Sequence, residues 1–534
     1  MSISVALRNP IASKISLEVS GRQRAGLEVT TLLAVIAVLV HGYHPYAEDG
    51  GIYLAGIKRL LDPQLYPYWS GFVTAHLRFS LFAPMVASLV RQSSLSLMTV
   101  MLMLYLTSTW MTLFAAWHLA IRCCRTLEAC YAAVSLIALS LTVPIAGTSL
   151  MLMDPYVSAR SISTPCALLA LVGALDIRHE LNRIDFALSW QSIGLCAGPL
   201  LVAAMVHPLM AGYALACVVL LACLSSSDPR ARITAALGFF VAALLLAVCI
   251  SHFALPQIHD YTLVAHTRTY WFIDQWRWYE QFGLAAPIAI LALVAFHRRS
   301  GRPTNSVLLA QVGMIVGVIG LTVALLFART TSPINLVARL QPLRIFLIAY
   351  VLMILAIGAS LGELILKRRI SRWVAMVLLL GATMFCVQRR SFPNSAHLEL
   401  PWNTQTNEWE QAFLWIKANT PRDAVFAMNA DYVTASGEDT QNFRAIAERS
   451  ALPDYSKDGG VASIEPTLTP QWLMGETLQR DLDHATDDDR VAALRPANVG
   501  WILLSRSAAT LFECDYTNRT VKVCRLPSNQ LTKK

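Results

Sequence analysis

Apolar runs of about 17–25 residues recur along the first three quarters of this chain, and no other feature limits its fold more. At about 1.5 Å per residue, such a run can cross a hydrocarbon core of about 30 Å as a helix. Within lipid a helix satisfies all of its own backbone hydrogen bonds. Spans are expected near Ala25–Tyr43, Leu95–Ile121, Leu127–Ser149, Ser163–Leu175, Phe186–Met205, Leu209–Leu224, Ile233–Ala254, Phe282–Phe296, Val307–Phe327, Ile345–Leu366 and Trp373–Val387. That makes about eleven transmembrane helices. The fifth and sixth are separated only by His207-Pro208, where proline punctuation suggests a hairpin. Composition supports a chain built for lipid: 55% of its 534 residues are hydrophobic and 14% charged, against about 25% charged in soluble domains.

Basic residues set the expected orientation, because short cytoplasmic loops are enriched in Lys and Arg. With eleven crossings, Arg22/Arg24, Arg122/Arg125, Arg178/Arg183, Arg230/Arg232, Arg298/Arg299/Arg302 and Lys367/Arg368/Arg369/Arg372 all fall on one side. Residues 1–24 then form a cytoplasmic tail, residues 25–387 the transmembrane region, and the polar residues 388–534 an extracytoplasmic domain. The net charge of +9 is explained by topology, and nucleic-acid binding is not expected. The first apolar run follows a basic tail, but no Ala-x-Ala cleavage pattern follows it, so a retained anchor is expected.

Nine of the eleven cysteines lie in or beside apolar runs, where they act as small hydrophobes. Cys514 and Cys524 lie in the polar part, flanking Asn518–Thr520. A three-residue loop there would set them opposite each other on two antiparallel strands, where a disulfide could form in an oxidising compartment.

Four connections, 44–94, 149–162, 256–281 and 329–344, are expected outside the cytoplasm. The first begins His44-Pro-Tyr-Ala-Glu48-Asp49-Gly50-Gly51. Carboxylates beside a bilayer are costly and usually line a wet cavity or a site. Asp49 or Glu48 could act as a general base, and Asp49 could instead cap a surface helix over Ile52–Leu61. The second connection carries Asp154 and Arg160. The third holds Trp271, Trp276, Trp278 and Tyr279, either an interfacial aromatic belt or a groove for a lipid-borne ligand. The fourth carries Arg329, Arg339 and Arg344 where topology does not call for them. Such guanidinium groups can bind phosphate or snorkel to headgroups.

The C-terminal part reads as a small α/β domain. Asn407 caps a helix whose apolar face is Trp409, Ala412, Phe413 and Ile416. Strands are expected at Ala424–Met428 and Val499–Leu504, a helix at Pro470–Leu482, and a helix start at Asp487–Asp489.

The chain lacks a Walker-type loop, a Rossmann glycine fingerprint and a Gly-x-Ser-x-Gly elbow. His41 and His44 with Glu48 and Asp49 could offer a divalent cation mixed ligands, but no second His/Cys pair has metal-site spacing, so no metal site is assigned.

Paired acids after the first span, a surface helix, about eleven spans and an external C-terminal domain resemble the GT-C glycosyltransferases. That group includes protein O-mannosyltransferases, aminoarabinose transferases and the catalytic subunit of oligosaccharyltransferase. The resemblance implies transfer of a sugar from a polyprenyl-phosphate donor to an acceptor hydroxyl at the outer face of a bacterial inner membrane. It also implies that Asp49 or Glu48 is the catalytic acid of the first loop, with Asp154 matching a second acidic position. Arg160, Arg339 and Arg344 would hold donor phosphate, and the aromatic connection would seat the prenyl chain.

The acids read Glu-Asp where O-mannosyltransferases have Asp-Glu, and the Trp-Trp-Asp motif of oligosaccharyltransferase is missing, so a peptide acceptor is not implied. The string Asn442–Arg449 also resembles uncharacterised bacterial membrane proteins of this layout. The competing classes are a transporter or flippase, which would need acids inside spans, and a non-catalytic assembly protein. Glu28, Glu128 and Glu363 lie near span ends, which favours neither relay nor pump.

Overall fold

The computed structural model describes residues 10–182, 188–254, 257–296 and 303–527, with side chains described from residue 25 onward. Arg183, Arg298, Arg299 and Arg302 lie outside the described residues, and the side chains of Arg22 and Arg24 are not described.

The chain is a multi-pass membrane protein. Seven helices are long and apolar enough to span: Leu97–Cys123, Ala159–Leu181, Pro229–Phe253, Trp278–Ala295, Asn305–Phe327, Leu336–Leu366 and Ile370–Ser391. Four shorter apolar helices, Ala25–His41, Leu127–Ala138, Trp190–Val206 and Pro208–Leu224, occupy the other expected spans. Every expected span thus contains a helix; Leu127–Ala138, Trp190–Val206 and Pro208–Leu224 fall short of full spanning length, whereas the first helix extends back to Pro10.

Starts are set by local chemistry. Ser96, Thr304 and Asp228 each accept a backbone N–H of the first helical turn that would otherwise lack a partner. The central stretches of Pro229–Phe253 and Ile370–Ser391 are apolar and mostly exposed, as helices facing lipid should be. Ala159–Leu181 lies at the centre and packs against Leu97–Cys123, Trp190–Val206 and Pro208–Leu224. A Cβ at Gly173 would lie 2.4 Å from the Cys196 backbone nitrogen, so glycine lets two helix backbones approach closely there.

Three expected boundaries shift. The run after Leu127 stops being helical at Ala138, and an isolated bridge, Pro144 with Met151, closes the segment that follows. The central helix starts at Ala159, four residues before the expected Ser163, which puts Arg160 in its first turn. The stretch expected as a fourth connection is already helical from Leu336. It is broken at Gln341, whose φ of +52° turns the chain before Pro342–Ile345 and redirects the residues that follow.

The first connection is also more helical than expected. Glu48–Leu61 forms one helix, and Gly71–Arg78 and Phe82–Ser93 follow, bent by 99° relative to each other. Glu48–Leu61 packs against Phe443–Ala447 of the C-terminal part. A Cβ at Gly51 would lie 2.2 Å from Cβ of Asn442, and Asn442 itself caps Phe443–Ala447. Gly51→Ala is therefore expected to destabilise the folded chain by about 1–3 kcal/mol, as overpacking does. Thermal unfolding of the purified protein would read this as a lowered midpoint.

The C-terminal part matches its expected elements. Asn407 accepts the N–H groups of Trp409 and Glu410 at the start of Glu408–Asn419. Five strands, β1 (Val425–Ala427), β2 (Ser450–Ala451), β3 (Trp501–Ser505), β4 (Cys514–Thr517) and β5 (Val521–Arg525), form one sheet in the order β2-β1-β3-β5-β4. β1 is parallel to β2 and β3, while β5 is antiparallel to β3 and β4. Trp409, Phe413 and Ile416 pack on Phe426, Leu503 and Val523.

Cys514 and Cys524 are disulfide-bonded and directly opposite in register. The hairpin differs in one detail from the expected three-residue loop. Thr517 pairs with Lys522, and a register shift between Cys514 and Tyr516 restores the cysteines to opposite positions.

Candidate functional site

Four segments meet at the end of the bundle that carries the sheet. The helix Glu48–Leu61 contributes Glu48 and Asp49 in its first turn, and its N-cap is Ala47, with no side-chain cap bond. Asp49 is therefore not a cap. The helix starts four residues earlier than the expected Ile52, so Asp49 lies within its first turn, where the positive end of the helix dipole favours an ionised carboxylate. Its side chain remains 44% accessible.

Burial alone would raise the Asp49 carboxyl. The surrounding cations Lys457, Arg160 and Arg344, with His207, outweigh it and hold the group below the usual carboxylate range.

Asp154 lies in the segment before the central helix and is 6% exposed. Arg160 donates from Nη2 to Asp154 Oδ2 at 2.6 Å and lies 3.8 Å from Asp49 Oδ2. Burial pushes the Asp154 carboxyl up, and Arg160 offsets only part of this. Asp154 thus fixes a guanidinium that reaches toward Asp49, and it is itself enclosed.

Arg344 approaches from the turn after Gln341. The charges that act on it most are those of Arg160 and Asp49, with Tyr270 and Tyr213 also contributing. It forms no carboxylate ion pair among the described residues, and its buried Nε has no hydrogen-bond partner. Thr148, Tyr270, Trp271 and Gln341 line the recess with it. Arg339, from the preceding turn, stands beside the Tyr261 hydroxyl and is not among the cations acting on Asp49. The break at Gln341 sends the two arginines to different places.

Lys457 comes from the C-terminal part, a contribution that sequence periodicity does not signal. Its ammonium pairs with the Glu48 carboxylate. Burial opposes its charge, but Glu48 and Asp49 outweigh burial and raise its pKa. Several contacts hold its turn. Arg268 donates to the carbonyls of Tyr455, at 3.0 Å, and Ser456, while Trp472 donates to the Asp454 carbonyl at 2.9 Å. Arg444 chelates Asp458 at 2.8 and 2.7 Å. Arg444 lies inside the Asn442–Arg449 string, whose distinctive residues therefore anchor the turn bearing Lys457.

The four aromatics of the third connection do not form one groove. Trp271 and Trp276 are buried in the helix-packed core of the protein, the latter covering Gly147. Trp278 and Tyr279 are 78% and 50% exposed at the start of Trp278–Ala295. The histidines do not join Glu48 and Asp49 as metal ligands either. His41 bonds Thr142 Oγ1 at 2.7 Å, and His44 Nδ1 lies 2.6 Å from Glu399 Oε1. Among the described residues no group of three or more His, Cys, Asp or Glu could hold a metal ion.

The site thus places an accessible ionised carboxylate 3.8 Å from a tethered arginine, with a paired lysine and an arginine that has no carboxylate partner among the described residues also acting on it. Such a set can take a proton from a hydroxyl while cations face an anionic leaving group.

No family model matches this chain, and no curated protein matches it. Among solved structures it is similar to the oligosaccharyltransferase of Archaeoglobus fulgidus in complex with zinc and sulfate. The TM-score is 0.48 at 12% identity, over 89% of this chain and 68% of that one. The archaeal oligosaccharyltransferase AglB from the same organism, with an inhibitory peptide and a dolichol-phosphate, gives 0.44 at 12% identity, over 90% and 69%. The Archaeoglobus fulgidus enzyme tethered to an acceptor peptide containing the NVT sequon gives 0.45 at 13% identity, over 90% and 69%. Oligosaccharyltransferase is one of the enzymes that the sequence layout resembles. Likeness at this level assigns neither activity nor ligand to this chain.

Proposed function

We propose that this chain is a membrane glycosyltransferase of the GT-C kind. It takes a sugar linked through phosphate to a polyprenyl chain and transfers it to an acceptor hydroxyl. The observation that carries this reading is the accessible Asp49 held ionised by a set of cations that includes Arg344, while Arg344 itself forms no carboxylate ion pair among the described residues and its buried Nε has no hydrogen-bond partner. A permanent cation left unpaired and partly buried is suited to an anionic ligand, and guanidinium fits phosphate oxygens.

In the transfer, Asp49 accepts the acceptor hydroxyl proton as the acceptor oxygen bonds to the anomeric carbon. The bond from that carbon to the phosphate oxygen breaks, and the electron pair leaves with the phosphate beside Arg344. Arg160, tethered by Asp154, orients Asp49. The exposed Trp278 and Tyr279 suit the membrane boundary, where a prenyl chain would pass. The basic loops and the Cys514–Cys524 disulfide support an extracytoplasmic site, which for a bacterial inner membrane means the periplasmic or outer face. A transporter would need its acids within spans, whereas Glu48, Asp49 and Asp154 all lie outside the seven long helices.

Purified protein in lipid nanodiscs is expected to bind a short-chain polyprenyl monophosphate at least about tenfold more tightly than the corresponding alcohol, a difference of about 1.4 kcal/mol. Equal binding of the two would remove the phosphate site and the proposed function with it.

A further inference from the structure

His44 and Glu399 form a buried couple that takes no direct part in the transfer step. Their side chains are 0% and 1% exposed, and His44 Nδ1 lies 2.6 Å from Glu399 Oε1. The couple joins the end of the first helix to the segment after the last membrane helix. Tyr43 donates to the His397 carbonyl at 3.0 Å, and the Glu399 N–H donates back to the Tyr43 carbonyl at 2.9 Å. The His44 ring stacks on Phe392 at 3.8 Å, and Gln441 of the C-terminal part donates to Glu399 Oε1 at 3.0 Å.

Residue 44 also sets where the acids of the site stand. Its backbone N–H donates to the Pro155 carbonyl at 2.7 Å, next to Asp154. Its carbonyl accepts the N–H of Ala47, the N-cap of the helix that carries Asp49. The start of that helix is thereby fixed against the segment leading to Arg160, which lies 3.8 Å from Asp49.

Written as two neutral groups or as an ion pair, the couple holds one titratable proton and no net charge. Arg389 is the cation facing it from the last membrane helix, and its Nη1 donates to the carbonyls of Phe392 and Ser395. Asp439 and Glu410 face it from the C-terminal part, Tyr43 and Tyr46 from the first connection, and His397 from the segment that carries Glu399. Glu399 Oε2 has no hydrogen-bond partner among the described residues. A negative charge left on the couple would thus be buried without a counter-ion, which is costly. Burial accordingly pushes the Glu399 carboxyl up to about 8 and His44 down to about 3.

On the glycosyl-transfer reading, on which this step rests, we propose that Glu399 is a positioning residue. While the His44–Glu399 couple keeps its proton it holds Asp49 against Arg160, and loss of the proton releases the segment and stops transfer.

The direction with pH follows from the proton count. In the unfolded chain a histidine gives up its proton near about pH 6.5 and a glutamate near about 4.3. Between these values the unfolded pair and the folded couple each bind one proton, so stability is unaffected. Above about 6.5 the unfolded pair binds none, and the stability the couple contributes is lost as pH rises to about 8.

The test follows the full chain from about pH 6 to 9.5, with amide hydrogen exchange of residues 43–51 in lipid nanodiscs, corrected for intrinsic rates. In parallel, transfer is measured in membrane vesicles supplied with the lipid-linked sugar extracted from Asp49→Asn cells. In the wild type, protection is expected to fall at least about tenfold between about pH 7 and 9, and the transfer rate to fall with a midpoint near about 8. Glu399→Gln, neutral at every pH, should match the wild type within about threefold at pH 7 and move both limbs up by at least about one unit. Glu410→Gln should leave them in place. A limb shared by the wild type and Glu399→Gln would overturn the inference, as would its absence from the wild-type exchange profile or its displacement by Glu410→Gln alone. So would an about tenfold loss of transfer in Glu399→Gln at pH 7, because the carboxyl itself would then be required. Exchange limbs as expected with no transfer by any chain would remove the transfer reading and leave the tether standing.

Discussion

Replacement of Asp49 by asparagine is expected to lower sugar transfer by about 10²–10⁴-fold, the range for loss of a general base, while the protein still inserts and folds. The substitution keeps size and shape, and Asp49 caps no helix, so no backbone bond depends on its charge. Loss of the carboxylate also leaves Arg160 its stronger partner, Asp154. The pH dependence follows from the lowered pKa of Asp49. The base stays ionised as pH falls to about 4, the ordinary carboxylate value, and activity through this group falls only below that. The sign for stability is the same: a depressed carboxyl contributes stability above its unfolded pKa, and the contribution is lost as pH falls through the folded value. A pH–rate profile whose acid limb lay near 6 would point to another base.

Arg344→Gln is expected to cost about 10²–10³-fold in kcat/KM, the loss typical of removing a group that stabilises developing charge. Because Arg344 forms no ion pair with a carboxylate among the described residues, this change breaks none there and should leave unfolding nearly unaffected. Arg160→Gln provides the contrast. It would strand Asp154 at 6% exposure without its cation, a loss of about 3–5 kcal/mol for a broken buried pair. If Arg344→Gln leaves transfer kinetics at the wild-type level, the phosphate assignment falls. A loss of activity accompanied by the Arg160→Gln pattern of unfolding would mark Arg344 as structural.

Span positions were legible because a run of apolar residues carries its own signal. The Cys514–Cys524 pair was legible because strand geometry forces close partners to lie opposite. Asp49 was found for a related reason: charge beside lipid is rare enough to stand out. Its role as a cap was misplaced because Gly50-Gly51 looked like a break before a helix, whereas the helix runs through both glycines and packs them against Pro45, Tyr156 and Asn442.

Lys457 and Arg268 were not legible. Each is a polar residue in a polar segment, and its importance comes from contacts more than 180 residues away in sequence. Arg339 and Arg344 looked alike in sequence, and only the positive φ at Gln341 separates them. The four aromatics of the third connection divide for a similar reason. Two precede the helix start and pack inward, and two lie on its exposed first turn.

The central claim, that Asp49 and Arg344 serve phosphate-linked sugar transfer, is tested most directly by mass spectrometry of lipid-linked sugars and envelope glycans. The comparison is between cells carrying the wild-type chain and cells carrying Asp49→Asn at equal expression. Accumulation of one polyprenyl-phosphate sugar in the variant, with loss of the matching glycan modification, is the predicted result. Identical lipid-linked sugar and glycan profiles in the two strains would contradict it.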